Sequence, residues 1–130
     1  MKPATGTKPR VLVVDDETSV LFTYKMILQQ QGYDVTAVGT CREALEKIEQ
    51  QDFDMLLCDY SLEQQHTGFE VIEAGRKKNP KVPAVILTGY ASTETAQQAK
   101  ENGISVLFKP IEISEFLSAT SSLLKTGTSQ

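Results

Sequence analysis

Five short apolar runs recur along the chain: VLVV at 11–14, DVTAV at 34–38, MLLC at 55–58, AVILT at 84–88 and ISVLF at 104–108. Four of them are nearly continuous rather than alternating, the pattern of strands buried on both faces. Between the runs the period changes to that of a helix. In 19–31, Val20, Leu21, Tyr24, Ile27 and Leu28 form one apolar stripe. Thr40 with Glu43, and Thr67 with Glu70, have the spacing of capping boxes, and each pair opens a helical pattern. Glu112 or Ser114 is placed to cap a last helix whose buried stripe is Ile113, Phe116, Leu117 and Leu124. Gly32 and Gly103 stand where helices should end, each just before a strand run.

The pattern is thus strand and helix in alternation, five times over. Strands joined by helical crossovers pair in parallel, and right-handed crossovers place helices on both faces of the sheet. The expected fold is a doubly wound α/β domain of the flavodoxin-like kind, with strand order 2-1-3-4-5. The expected domain spans 10–125. Residues 1–9 and 126–130, rich in Thr, Gly, Ser, Pro and Lys, read as disordered tails.

Composition narrows the function. The chain has 130 residues, 40% of them hydrophobic, which suits one domain with a substantial core. Thirteen Lys plus Arg against seventeen Asp plus Glu give a net charge of −4, without the basic footprint of a nucleic-acid binder. No apolar run approaches the ~18 residues of a membrane span, and none of signal-peptide length follows the N-terminus. Cys41 and Cys58 lack CxxC spacing and read as reduced cysteines of a cytoplasmic protein.

In a sheet of this kind, ligands bind at the carboxyl ends of the strands. Asp15, Asp16 and Glu17 follow the first strand run, and Asp59 follows the third. Thr88 ends the fourth, and Lys109 with Pro110 follows the fifth. Taken singly, Asp15 and Asp16 are ordinary helix-capping residues, Thr88 a turn residue and Lys109 a loop lysine. Their joint placement on one sheet edge is what points to chemistry. Strands one and three are neighbours in the expected order, so Asp15, Asp16 and Asp59 share a pocket and repel one another. A hard dication resolves that repulsion. Mg²⁺ suits, because it takes one or two carboxylates, keeps waters and completes its shell with a phosphate oxygen. A phosphoryl group there could meet the Thr88 hydroxyl and the Lys109 ammonium. A carboxylate beside it could attack phosphorus to give an aspartyl-phosphate.

These segments, VLVVDDE at 11–17, LLCDYSL at 56–62, ILTGYAS at 86–92 and LFKP at 107–110, resemble the response-regulator receiver domains of two-component signalling. The likeness spans about residues 9–125. It implies that Asp59 is the phosphoacceptor, taking its phosphoryl group from the phosphohistidine of a histidine kinase or a histidine phosphotransfer protein. It further implies Mg²⁺ held by Asp16, Asp59 and the Ser61 backbone carbonyl, with Asp15 acting through water. Thr88 and Lys109 would contact the phosphoryl oxygens, and Lys109–Pro110 would be a cis peptide. Ser61 and Tyr90 would tune the phosphoryl lifetime by limiting the approach of water. Output would pass to an unidentified partner protein, through the face of the fourth helix, fifth strand and fifth helix.

The sequence departs from the family pattern at three places. Glu63 replaces the proline that many receivers carry four residues after the acceptor, and Gly68 follows Asp59 by nine residues instead of eight. The longer loop, like LTGYAS, resembles receivers attached to hybrid histidine kinases. Val106 replaces the usual switch aromatic, and Phe108, on the same strand face, does not restore it. A phosphorylation-independent binding module on this fold is one alternative function. An aspartyl-phosphate-forming phosphohydrolase is another, disfavoured because Ser61 stands where a second Asp is needed. The single histidine, His66, reads as an exposed loop residue, Cys58 as a small buried strand residue, and the run Arg76, Lys77, Lys78, Lys81 as complementing the C-terminal dipole of the third helix.

Overall fold

The computed structural model describes residues 8–89 and 92–128, the last four of these by backbone only. Its elements are β1 (Arg10–Val14), α1 (Thr18–Gln30), β2 (Asp34–Val38), α2 (Cys41–Gln50), β3 (Met55–Asp59), a 3₁₀ turn (Glu63–Gln65), α3 (Gly68–Lys78), β4 (Ala84–Thr88), α4 (Thr93–Glu101), β5 (Ser105–Phe108) and α5 (Ile113–Thr128). The strands form one parallel sheet in the order β2-β1-β3-β4-β5. This is the flavodoxin-like arrangement that the apolar runs predict.

Alternation along the central strands divides the interior into two layers. Val11, Val13, Leu57, Val85, Leu87 and Leu107 pack with Tyr24, Leu28, Phe116 and Leu124, covered by α1 and α5. Leu12, Val14, Leu56, Cys58 and Ile86 face the other way, against α2, α3 and α4. β1, β3 and β4 are buried almost throughout, which is why their sequences carry no polar alternation. Edge strand β2 is only half-buried, and its run is the one broken by polar residues.

The helix ends follow the sequence closely. Gly32 and Gly103 take positive φ, +90° and +66°. Each terminates its helix in a Schellman motif. Tyr33 N–H donates to Leu28 C=O and Gly32 N–H to Gln29 C=O, and Ile104 and Gly103 repeat this toward Ala99 and Lys100. The capping box at Thr67 and Glu70 is complete. That at Thr40 is offset by one residue: Thr40 Oγ1 accepts from Glu43 N–H, but Glu43 reaches back to Gly39 N–H. Glu112 stands just before α5, its carbonyl accepting from Phe116 N–H, while Ser114 lies inside the helix.

Three expectations need correction. α5 continues to Thr128, past the boundary expected at 125; a single Gly127 costs a helix only about 1 kcal/mol and no proline follows to stop it. Of the expected N-terminal tail, residues 1–7 lie outside the described residues, but Pro9 is tied to the sheet through its carbonyl, which accepts from Asp34 N–H at 2.8 Å. The basic run does not simply complement its own helix. Lys78 Nζ donates to Ile48 C=O at the end of α2, and Arg76 donates to Asn102 and Gly103 carbonyls at the end of α4. These cations close the termini of neighbouring helices, where unpaired carbonyls gather.

Candidate functional site

The carboxyl ends of β1, β3, β4 and β5 converge on one edge of the sheet. β1 and β3 pair directly, with Val14 opposite Cys58, so the residues that follow, Asp15 and Asp59, lie side by side. Asp15 is fully buried, Asp59 is 8% exposed, and Asp16 is exposed. Carboxylate oxygens of all three lie within 4.8 Å of one another. Asp15 is also fixed by its own chain, since its Oδ1 accepts from Glu17 N–H at 2.9 Å.

Lys109 enters this cluster from beyond β5. Its ammonium lies 2.8 Å from Asp15 Oδ2, 3.2 Å from Asp59 Oδ1 and 3.9 Å from Glu17 Oε1. Backbone pairing sets its position: Lys109 N–H donates to Thr88 C=O at 2.8 Å, which places lysine and buried threonine at the same level of the sheet. The Lys109–Pro110 peptide is cis. Tyr24 lies beneath the site, stacked on Phe116 with ring centroids 4.8 Å apart.

The electrostatics follow from crowding and burial. Loss of hydration, reinforced by the neighbouring Asp15, pushes Asp59 up to about 6, against the pull of Lys109. Burial alone would lower Lys109, but its hydrogen bond to Asp15 and the charges of Asp59 and Asp15 hold it above its ordinary value. With all groups ionised, one ammonium faces three carboxylates, so two negative charges stay uncompensated within the cluster. Hard oxygen donors with excess negative charge match the requirements of Mg²⁺.

The loop after Asp59 is closed tightly. Ser61 and Thr67 form an antiparallel bridge, and Leu62 N–H donates to His66 C=O. Gln64 and Gln65 both take positive φ, 52° and 67°, which the sequence does not advertise with glycine or asparagine. Glu63, at the family's proline position, crosses to α2: its carboxylate accepts from Cys41 N–H at 2.7 Å and Arg42 N–H at 3.2 Å, capping that helix. Gly68 is needed for space. A Cβ there would lie 2.5 Å from the Asp59 carbonyl oxygen and 2.9 Å from Cys58 Cβ.

Of the residues singled out from sequence, the structure brings Asp15, Asp16, Asp59 and Lys109 together and sets Thr88 beside them. Ser61 is exposed on the adjoining loop. Tyr90 lies outside the described residues. Val106 is half-buried against the α2–α4 layer, and Phe108, opposite Thr88 in register, is 46% exposed. Two features escaped sequence reasoning. One is the Glu63 cap, formed across 22 residues of chain. The other is a second cluster of Cys41, His66 and Glu70.

Comparison with known proteins agrees with this geometry. Residues 11–121 match the family model of the response regulator receiver domain. The chain is 35% identical over 103 residues to the transcriptional regulatory protein ZraR of Escherichia coli (strain K12), covering 78% of this chain and 23% of that protein. It therefore spans about a quarter of that relative. Among solved structures, it resembles a CheY-like receiver domain protein from Methanospirillum hungatei JF-1, with a TM-score of 0.86, 32% identity, and coverage of 93% and 97%. The chemotaxis protein CheY4 of Vibrio cholerae superposes with a TM-score of 0.81 at 31% identity, covering 90% of this chain and 99% of that one. No helix among the described residues is long and apolar enough to cross a membrane. Fold, strand-end acidic cluster and sequence kinship converge: the chain belongs to the response regulator receiver domain family, the signalling modules of two-component systems.

Proposed function

We propose that Asp59 accepts a phosphoryl group from the phosphohistidine of a histidine kinase or histidine phosphotransfer protein, and that the phosphorylated domain signals to a downstream protein. One observation carries this reading: a shielded carboxylate at a strand end lies 3.2 Å from a lysine ammonium and shares a pocket with two further carboxylates. A carboxyl held near 6 is largely ionised at neutral pH, so Asp59 is available as a nucleophile. Its oxygen forms the bond to phosphorus as the P–N bond breaks. The electron pair leaves with the imidazole nitrogen, which then takes a proton.

Asp16, Asp59 and the Ser61 backbone carbonyl would hold Mg²⁺, with Asp15 acting through water. Bound Mg²⁺ supplies charge neutralisation to the phosphoryl oxygens. Phosphorylation of Asp59 removes one of the carboxylate charges that hold Lys109, so the ammonium, still anchored by Asp15, can turn to a phosphoryl oxygen. Thr88 offers its hydroxyl on the same edge. Ser61 and Tyr90 tune hydrolysis by screening the bond from water. With Val106 in the switch position, output through α4, β5 and α5 depends on Thr88 and Lys109 rather than on a rotating aromatic ring.

The test is incubation with acetyl phosphate and Mg²⁺, followed by intact mass. A single phosphoryl adduct, absent from Asp59→Asn and absent with a chelator, supports the reading. An adduct that persists in Asp59→Asn overturns it.

A further inference from the structure

Away from the acidic edge, three chain segments bring together donors of another kind. Cys41 is the first residue of α2, His66 closes the loop after the 3₁₀ turn, and Glu70 lies in the first turn of α3. A thiol sulfur, an imidazole nitrogen and a carboxylate oxygen from these residues lie within 4.8 Å of one another. They adjoin an open cavity of about 610 Å³ lined by Cys41, Glu63 and His66 among others. Cys41 is 1% exposed, whereas the side chains of His66 and Glu70 are 41% and 45% exposed. The thiol thus forms the floor of the cluster, and the other two donors its rim.

The donors are already oriented. His66 Nδ1 lies 2.9 Å from Glu70 Oε1, and the other oxygen of Glu70 is fixed by Thr67 N–H at 3.0 Å. Glu63 holds the backbone of Cys41 and Arg42 in place. Glu46 and Glu49 also line the cavity, and Arg42 is paired with Glu46 at 3.8 Å. The surroundings are therefore net acidic and favour a cation. Sulfur and imidazole nitrogen are poor ligands for Mg²⁺ but good ones for borderline-soft ions. Tetrahedral zinc sets neighbouring donors about 3.3–3.8 Å apart. Here the His66–Glu70 pair is at 2.9 Å with all three donor atoms inside 4.8 Å, so side-chain rotation has to supply the remaining adjustment.

We infer that Cys41, His66 and Glu70 form a binding site for a zinc-like divalent cation, separate from the acidic edge, with a fourth position left to water. Occupation ties the start of α2 to the loop that follows Asp59 and to the start of α3. It deprotonates the Cys41 thiol, whose proton passes to solvent, and adds a metal bridge to three segments that already pack together through Cys41, Leu62 and Val71.

The experiment is titration of the full chain with Co²⁺ and then Zn²⁺, in excess Mg²⁺ to occupy the acidic edge. The expected result is one equivalent bound, with a sulfur-to-cobalt charge-transfer band that Zn²⁺ abolishes. Cys41→Ser removes the band, and His66→Gln weakens binding roughly tenfold or more. Asp16→Asn, which alters only the acidic edge, leaves the titration unchanged. Because His66 is on the rim, His66→Gln keeps the fold, and its circular dichroism checks this. Absence of the band, or affinity that is unchanged in His66→Gln or lost in Asp16→Asn, overturns the inference.

Discussion

Replacing Asp59 by Asn should stabilise the metal-free protein, by an amount that depends on pH. Asp59 is 8% exposed and its carboxyl is held at about 6, against an ordinary 3.8. A raised value means that the folded state prefers the protonated form. The stabilisation from this group is complete below pH 3.8 and is lost as pH rises through about 6. The difference, 6 − 3.8 = 2.2 units, corresponds at 1.36 kcal/mol per unit to about 3 kcal/mol. Solvent screening at the partly open edge reduces this, so about 1–3 kcal/mol is expected. Asparagine has the shape of the protonated acid and does not titrate. Urea unfolding of both proteins in a chelator, from pH 4 to pH 8, should therefore give curves that meet near pH 4 and separate above pH 6, with Asp59→Asn the more stable. Mg²⁺ should then stabilise the parent, by about 1.4 kcal/mol at ten times its dissociation constant, and affect the variant far less. Coincident curves at pH 8, or a variant less stable than the parent there, would refute the electrostatic reasoning.

Three other substitutions probe separate parts of the account. Lys109 and a dication compete for the same oxygens, so Lys109→Gln should bind Mg²⁺ roughly tenfold more tightly by calorimetry, yet respond poorly to phosphorylation. Gly68→Ala forces a methyl against the Asp59 carbonyl and Cys58, and should cost about 3 kcal/mol in urea unfolding. Glu63→Gln weakens the cap on α2 and should cost about 1 kcal/mol, read in the same assay.

The layered fold was legible because each strand buries itself on both faces, which leaves a continuous apolar run that few other elements share. The acidic edge was legible for a related reason. In a parallel sheet, the residue after each strand must emerge at the same edge, so Asp15, Asp59 and Lys109 could be brought together from strand positions alone. Contacts set by loop conformation were not. The positive φ at Gln64 and Gln65 has no signature in side chains that rarely adopt it, so neither the Glu63 cap nor the approach of His66 to Cys41 could be read from spacing. The basic run misled for the same reason: Arg76 and Lys78 act on helix ends that tertiary packing brings near. The end of α5 was missed because the small and polar residues of 126–130 read as a tail, although a single Gly127 costs a helix only about 1 kcal/mol.

The central claim is that Asp59 is the acceptor, and the most direct measurement is chemical localisation of the bond. The protein is treated with acetyl phosphate and Mg²⁺, the acyl phosphate is reduced with borohydride, and the digest is mapped by mass spectrometry. Reduction converts a phosphorylated aspartate to homoserine. The account predicts homoserine at position 59 and at no other aspartate. Homoserine at position 15 or 16, or none anywhere in a protein that carries a phosphoryl adduct, would contradict it.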